Sequence, residues 1–164
     1  MADPITAAGL AAAVLQLADI GANLAIKLFT IGKQVKNAAG TYEAISKEVS
    51  LTSTVLQQLG KNLEGGNGDQ VHNDASLKIV NSLIKECETI FAHLRAVIGT
   101  RKKQYGSSGA KSWSEWCHRL ALPYKEKNIE TSRARLENLK SLLSIILASL
   151  TLAAQVKSSQ SRYV

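Results

Sequence analysis

The sequence predicts an all-α fold: an antiparallel bundle of four long helices plus a short Trp-containing helix. Three observations carry that expectation. Apolar residues recur at alternating intervals of three and four along four long stretches, the spacing that keeps one stripe of a helix facing its neighbours. No stretch alternates with period two over a useful length, so strands are not expected. The 164 residues hold two prolines and 5% aromatics, with an apolar fraction dominated by Ala, Leu, Ile and Val, as helix-on-helix packing requires. The length suits one domain with a core that needs neither disulfide nor metal, assigned to residues 1–157, with 158–164 as a polar C-terminal tail.

The first stripe is Leu10, Val14, Leu17, Gly21, Leu24, Leu28, Ile31 and Val35. Asp3 is placed to cap this helix, Pro4 suits a first helical position, and Gly40 is the expected stop. The second stripe is Ile45, Val49, Thr52, Leu56, Leu59 and Leu63, ending at the loop-forming Glu64-Gly65-Gly66-Asn67-Gly68-Asp69. Asp74 then caps a third helix bearing Leu77, Val80, Ile84, Cys87, Phe91, Leu94 and Ile98, its buried face widened by Leu83, Ile90 and Val97. Residues 105–111 are Gly/Ser-rich and read as a connection. Ser112-Trp113-Ser114-Glu115 has the form of a capping box opening the short helix, with Trp113, Trp116, Cys117 and Leu120, before Pro123 breaks or bends it. The last helix carries Ile129, Leu136, Leu139, Leu143, Ile146, Leu150 and Ala153, with Leu142, Ile145 and Leu152 beside them.

Charge is unevenly placed. The formal net charge is +7, yet residues 41–74 are net acidic and the excess falls mostly in residues 75–127, including Arg101-Lys102-Lys103. A basic surface suits an anionic partner: acidic lipid, nucleic acid or an acidic protein face. No helix-turn-helix pattern or aromatic platform supports nucleic acid, so that partner is not expected. Arg101, Lys102 and Lys103 read as a solvated helix end that complements the helix dipole, with contact to acidic lipid as the functional alternative. Trp113 and Trp116, near Arg119, Lys125 and Lys127, read first as anchors of the short helix on the bundle.

The first helix departs from the other three. From Ile5 to Ile31 only Asp19 and Lys27 are charged, and with Asn23 they form one narrow polar line. Three readings stand. The helix is the bundle's buried centre, or a membrane-active segment held in the bundle until released, or a constitutive anchor. Its length meets the roughly 20 apolar residues of a span. Pairs such as Gly9 and Ala13 allow close helix contact in lipid. A permanent anchor is the least favoured, because Asp19 is costly at mid-bilayer and the stripe matches the other helices.

Catalytic chemistry is not expected. His72, Cys87, His93, Cys117 and His118 show no paired metal-ligand spacing, and no serine sits in a nucleophile turn. Gly65-Gly66-Asn67-Gly68 lacks the Lys-Ser/Thr of a phosphate loop. The protein is read as a non-enzyme with no metal and no cofactor. The lone cysteines and the lack of a basic region ahead of residues 5–17 fit a reducing, cytoplasmic setting.

The opening Met1-Ala2-Asp3-Pro4 with its small-residue apolar helix resembles the N-terminal domain of many fungal NOD-like (STAND) receptors. Trp113, Trp116, Leu120, Tyr124-Lys125, Ile129, Leu136, Leu139, Lys140 and the Leu/Ile-rich end resemble the HeLo-like family, and the likeness covers nearly the whole chain. The resemblance implies a helical bundle of programmed cell death, in fungal heterokaryon incompatibility and innate immunity. It also implies self-association on activation, driven by an upstream receptor or an amyloid-signalling partner, and relocation from cytoplasm to plasma membrane. The released N-terminal helix would then engage or permeabilise that membrane, pore-forming in effect. Carried over, the membrane-active residues would be Ile5, Gly9, Leu10, Ala13, Val14, Leu17, Gly21, Leu24, Leu28 and Ile31. The 164 residues include neither a nucleotide-binding module nor an evident amyloid repeat, so the trigger is not in view. The alternative is a soluble helical adaptor of a NOD-like receptor that binds partner helices without membrane activity.

Overall fold

The computed structural model describes residues 6–34, 39–65, 74–104 and 122–161, with side chains described for 6–34, 39–65, 74–98 and 127–161. Four helices pack together: α1 (Ala7–Gln34), α2 (Ala39–Gly65), α3 (Asp74–Gln104) and α4 (Leu122–Gln160). The short Trp helix, with Trp113 and Trp116, lies outside the described residues, as do Asp3, Pro4, Ile5 and Val35.

Helix starts follow local chemistry. The described start of α1 is capped by Thr6, whose Oγ1 accepts the Gly9 amide hydrogen at 3.2 Å while its carbonyl accepts that of Leu10 at 3.0 Å. Asp74 opens α3 as expected. Pro123 falls in the first turn of α4 and does not interrupt that helix, since a first-turn proline lacks only an amide hydrogen that would be unpaired anyway. Gly40 is a correction. It lies in the first turn of α2 and does not end α1, because the chain has already reversed between Gln34 and Ala39. Gly32 explains how the reversal can be that tight: a Cβ there would sit 3.0 Å from the Cβ of Tyr42.

Helix directions alternate, but chain neighbours are not always spatial neighbours. α1 packs on α2 and α3, and α4 packs on α2 and α3, leaving α1 diagonal to α4 and α2 diagonal to α3. Gly21 faces Ser53 of α2 and Gly60 faces Leu15 of α1, so α1 and α2 run antiparallel. Arg135 of α4 meets Glu86 of α3 at 3.2 Å, and Ser132 meets His93 at 3.3 Å, so α3 and α4 also form an antiparallel pair. The two hairpins stack with α1 parallel to α3, and α2 parallel to α4. Lys140 of α4 meets Glu48 of α2 at 2.6 Å, a part-buried pair that ties the hairpins together.

The core runs between the hairpins. Val14, Leu28, Ile45, Val49, Leu56, Leu59, Cys87, Leu94, Leu136 and Leu143 are fully enclosed, each on a stripe read from spacing alone. Two backbone approaches depend on missing side chains. A Cβ on Gly60 would meet Leu15 Cγ at 2.6 Å, and one on Gly21 would meet the Phe91 ring at 2.7 Å. Ser46 contributes a polar cross-link within the first hairpin, donating to the Ala25 carbonyl at 2.8 Å.

Candidate membrane-engaging helices

Of the carried-over residues of α1, the large apolar ones are buried. Leu10, Val14, Leu17, Leu24 and Leu28 are at most 3% exposed, and Gly21 is enclosed with them. Ala13 and Ile31 are half-buried, and Gly9 is exposed. In its packed position α1 therefore offers lipid little of the stripe assigned to that role.

Nor is α1 the bundle's buried centre. It occupies a corner with a solvent face of Ala8, Gly9, Ala12, Gln16, Asp19, Ala22, Asn23, Ile26, Lys27, Phe29 and Thr30. Helices at the corners of a bundle normally carry charge over this face. Here two charges stand among small and apolar residues, with Ile26 at 65% and Phe29 at 42% exposure. Lys33 places its ammonium 4.5 Å from the centre of the exposed Phe29 ring. The low charge of α1 is thus not explained by complete burial. An open groove separates α1 from α3, lined by Ala13, Gln16, Ile20, Glu88 and Arg95.

Arg101, Lys102 and Lys103 fall in the last turn of α3, with side chains outside those described. Because α1 and α3 are parallel, this basic run stands at the C-terminal end of α1. Because α3 and α4 are antiparallel, it stands at the opposite end of the bundle from the C-terminus of α4.

The element that sequence reasoning missed as a candidate is the C-terminal half of α4. Its stripe was expected to pack to Ala153, but burial stops at Leu143. Ile146 and Leu150 are half-buried, Ala153 is exposed, and every residue from Thr151 to Gln160 faces solvent. The physical cause is length: α4 has 39 residues against 27 in α2 and 31 in α3, and Leu150 already packs beside Leu63 and Leu77 where α2 ends and α3 begins. The last ten residues of α4 continue for about 15 Å with nothing described beside them. The helix also runs three residues into the expected polar tail.

Both α1 and α4 are long and apolar enough to cross a membrane by length and composition. They differ in cover. In α1, 44% of the most apolar eighteen-residue window is buried, and in α4 only 11%. A signal for α4 was present in the sequence: Ser141–Val156 is uncharged for sixteen residues between Lys140 and Lys157, longer than the uncharged run ahead of Asp19.

The described residues also bear on chemistry. They contain no cluster of three or more His, Cys, Asp or Glu side chains able to hold a metal ion. Cys87 is fully enclosed, and burial, with Glu86 and Glu88 adding to it, pushes its thiol up to about 12, away from the reactive thiolate. Comparison with known proteins finds no family model, no characterised protein and no solved structure that matches the chain.

Proposed function

We propose that this chain is a membrane-targeting, self-associating effector domain of programmed cell death, in which the N-terminal helix leaves the bundle to engage and permeabilise the plasma membrane. The observation that carries the reading is the corner position of α1. A helix with a full solvent face has not spent its surface on charge, and keeps small and apolar residues where water normally selects polar ones. Such a helix loses core contacts on release but regains burial in lipid around its circumference outside the Asp19–Asn23–Lys27 line, at about 25 cal/mol per Å² of apolar surface. The likeness of the sequence to HeLo-like domains supports the same reading.

The loosest contact of α1 is with α3, where the open groove lies; its closest is with α2, through Gly21, Gly32 and Gly60. Release therefore requires α1 to part from α2, and self-association supplies the drive. Arg101, Lys102 and Lys103, at the end of the bundle where α1 finishes, would add attraction to acidic lipid. No catalytic step and no cofactor belong to this mechanism.

Dye release from vesicles of phosphatidylcholine and phosphatidylserine tests the proposal. Wild-type protein, at concentrations where it self-associates, releases dye. Ala22→Glu, a charge on the exposed face of α1 that leaves the core intact, abolishes release while helicity and Tm stay at wild-type values. Intact vesicles under self-associating conditions would favour the adaptor reading instead.

A further inference from the structure

We infer that the C-terminal half of α4, from Leu142 to Val156, is a lipid-binding element that enters the apolar layer of a bilayer without unfolding the bundle. The inference rests on the membrane reading above but assigns a different helix and a different step: docking of the folded domain, ahead of any release of α1.

Leu142, Ile145, Ser149, Leu152 and Val156 follow one another at intervals of three and four, so they share one stripe along the helix. That stripe is open: Leu142 is 48% exposed, Ile145 66%, Leu152 61% and Val156 56%. Ile79 of α3, at 56% exposure, extends it sideways, since Ile79 lines a cleft with Ile146 and Leu150. An exposed apolar stripe of this kind, interrupted by Ser149, marks an interaction site on a folded domain.

One observation selects lipid as the occupant and a second is compatible with it. The first is charge. A helix that pairs with another protein helix in water flanks its apolar seam with charged residues that set register and partner. The flanks here are Ser141, Ala148 and Gln155 on one side and Ile146 and Ala153 on the other, and no charge interrupts Ser141–Val156. The second is hydrogen bonding. Every hydroxyl in that span donates to the helix's own backbone: Ser141 to Glu137 at 3.0 Å, Ser144 to Lys140 at 2.7 Å, Ser149 to Ile146 at 2.7 Å, and Thr151 to Leu147. Hydroxyls satisfied in this way present no unpaired donor to hydrocarbon, which is the condition for polar residues on a lipid-facing helix. Arg101-Lys102-Lys103 stands at the far end of the bundle, so apolar burial and not a basic patch drives this docking.

The test is co-sedimentation of the full chain with phosphatidylcholine vesicles, with and without phosphatidylserine. Wild-type protein sediments with both. Ile145→Lys and Leu152→Lys, each at a well-exposed site, keep wild-type circular dichroism and Tm yet weaken partitioning by about tenfold or more, as expected for a cation placed among lipid tails. Ala22→Glu binds as wild type but does not release dye. Wild-type-like binding by both lysine variants overturns the inference, even where Ala22→Glu still blocks release and the α1 proposal survives. Binding that depends on Ile145 and Leu152 without any dye release supports the inference and removes the α1 proposal. A lipid-free dimer in sedimentation velocity, dissolved by Leu152→Lys and accompanied by no vesicle binding, assigns the stripe to a second copy of the chain and also overturns it.

Discussion

Gly21 sits where three helices meet, and replacing it with alanine pits two effects of known sign against each other. In an isolated helix Gly→Ala is favourable by about 1 kcal/mol, because glycine loses more backbone freedom. In this bundle the new Cβ would lie 2.7 and 2.9 Å from two carbons of the Phe91 ring and 2.1 Å from Ser53 Oγ. Carbon pairs rest at about 3.5–4.0 Å, so the ring would have to retreat by roughly 1 Å. Phe91 is 1% exposed, and the open groove between α1 and α3 that its ring borders can take up only part of that shift. Overpacking of this kind costs about 1–3 kcal/mol and cancels or outweighs the propensity gain, for a net loss of up to about 2 kcal/mol. At this chain length that lowers Tm by up to roughly 8 °C. The measurement is urea and thermal unfolding followed by circular dichroism, with Gly40→Ala as the opposed control. Nothing lies within 4 Å of a Cβ at Gly40, so the propensity term stands alone and Gly40→Ala gains up to about 1 kcal/mol. Ser53 supplies a second arm. Its Oγ finds no hydrogen-bond partner among the described residues, so Ser53→Ala stabilises by about 1 kcal/mol and makes the Gly21→Ala penalty smaller without erasing it. A Gly21→Ala protein that gains as much stability as Gly40→Ala would refute the close α1–α2–α3 junction from which these numbers come.

Three further outcomes follow from the packing and its electrostatics. Glu48→Ala strands the part-buried Lys140 and destabilises by roughly 1–2 kcal/mol in denaturant melts, whereas Glu86→Ala, whose partner Arg135 is 51% exposed, changes stability by less than about 1 kcal/mol. In a Cys117→Ser background, Cys87 reacts with thiol reagents only on unfolding, so labelling tracks denaturant and not time in native buffer. The same thiol makes stability depend on pH with a definite sign. Its folded pKa, about 12, lies above the ordinary 9.0, so its contribution is complete below pH 9 and is lost as pH rises from 9 toward 12. Cys87→Ala removes that part of the slope.

The spacing of apolar residues was enough to place the four long helices and the buried side of three of them. Ile45, Val49, Leu56, Leu59, Leu77, Val80, Ile84, Phe91 and Leu94 are enclosed where their spacing put them, because a helix turns its residues to one side at a fixed angle whatever it packs against. Periodicity says that a stripe needs a partner, but not how far the partner extends. That limit explains the departures. Leu152 and Ala153 continue the pattern of α4 beyond the ends of α2 and α3, so only the relative lengths of packed helices leave them in water, whereas Leu142 and Ile145 lie alongside the bundle on the outward side of α4. Gly40 looks like a stop in isolation, but α2 already begins at Ala39, with Gly32 of α1 close against Tyr42. Tertiary structure alone also decided which helices touch. It set α1 at a corner, diagonal to α4, and so gave it the open, weakly charged face that its low charge count had suggested was buried.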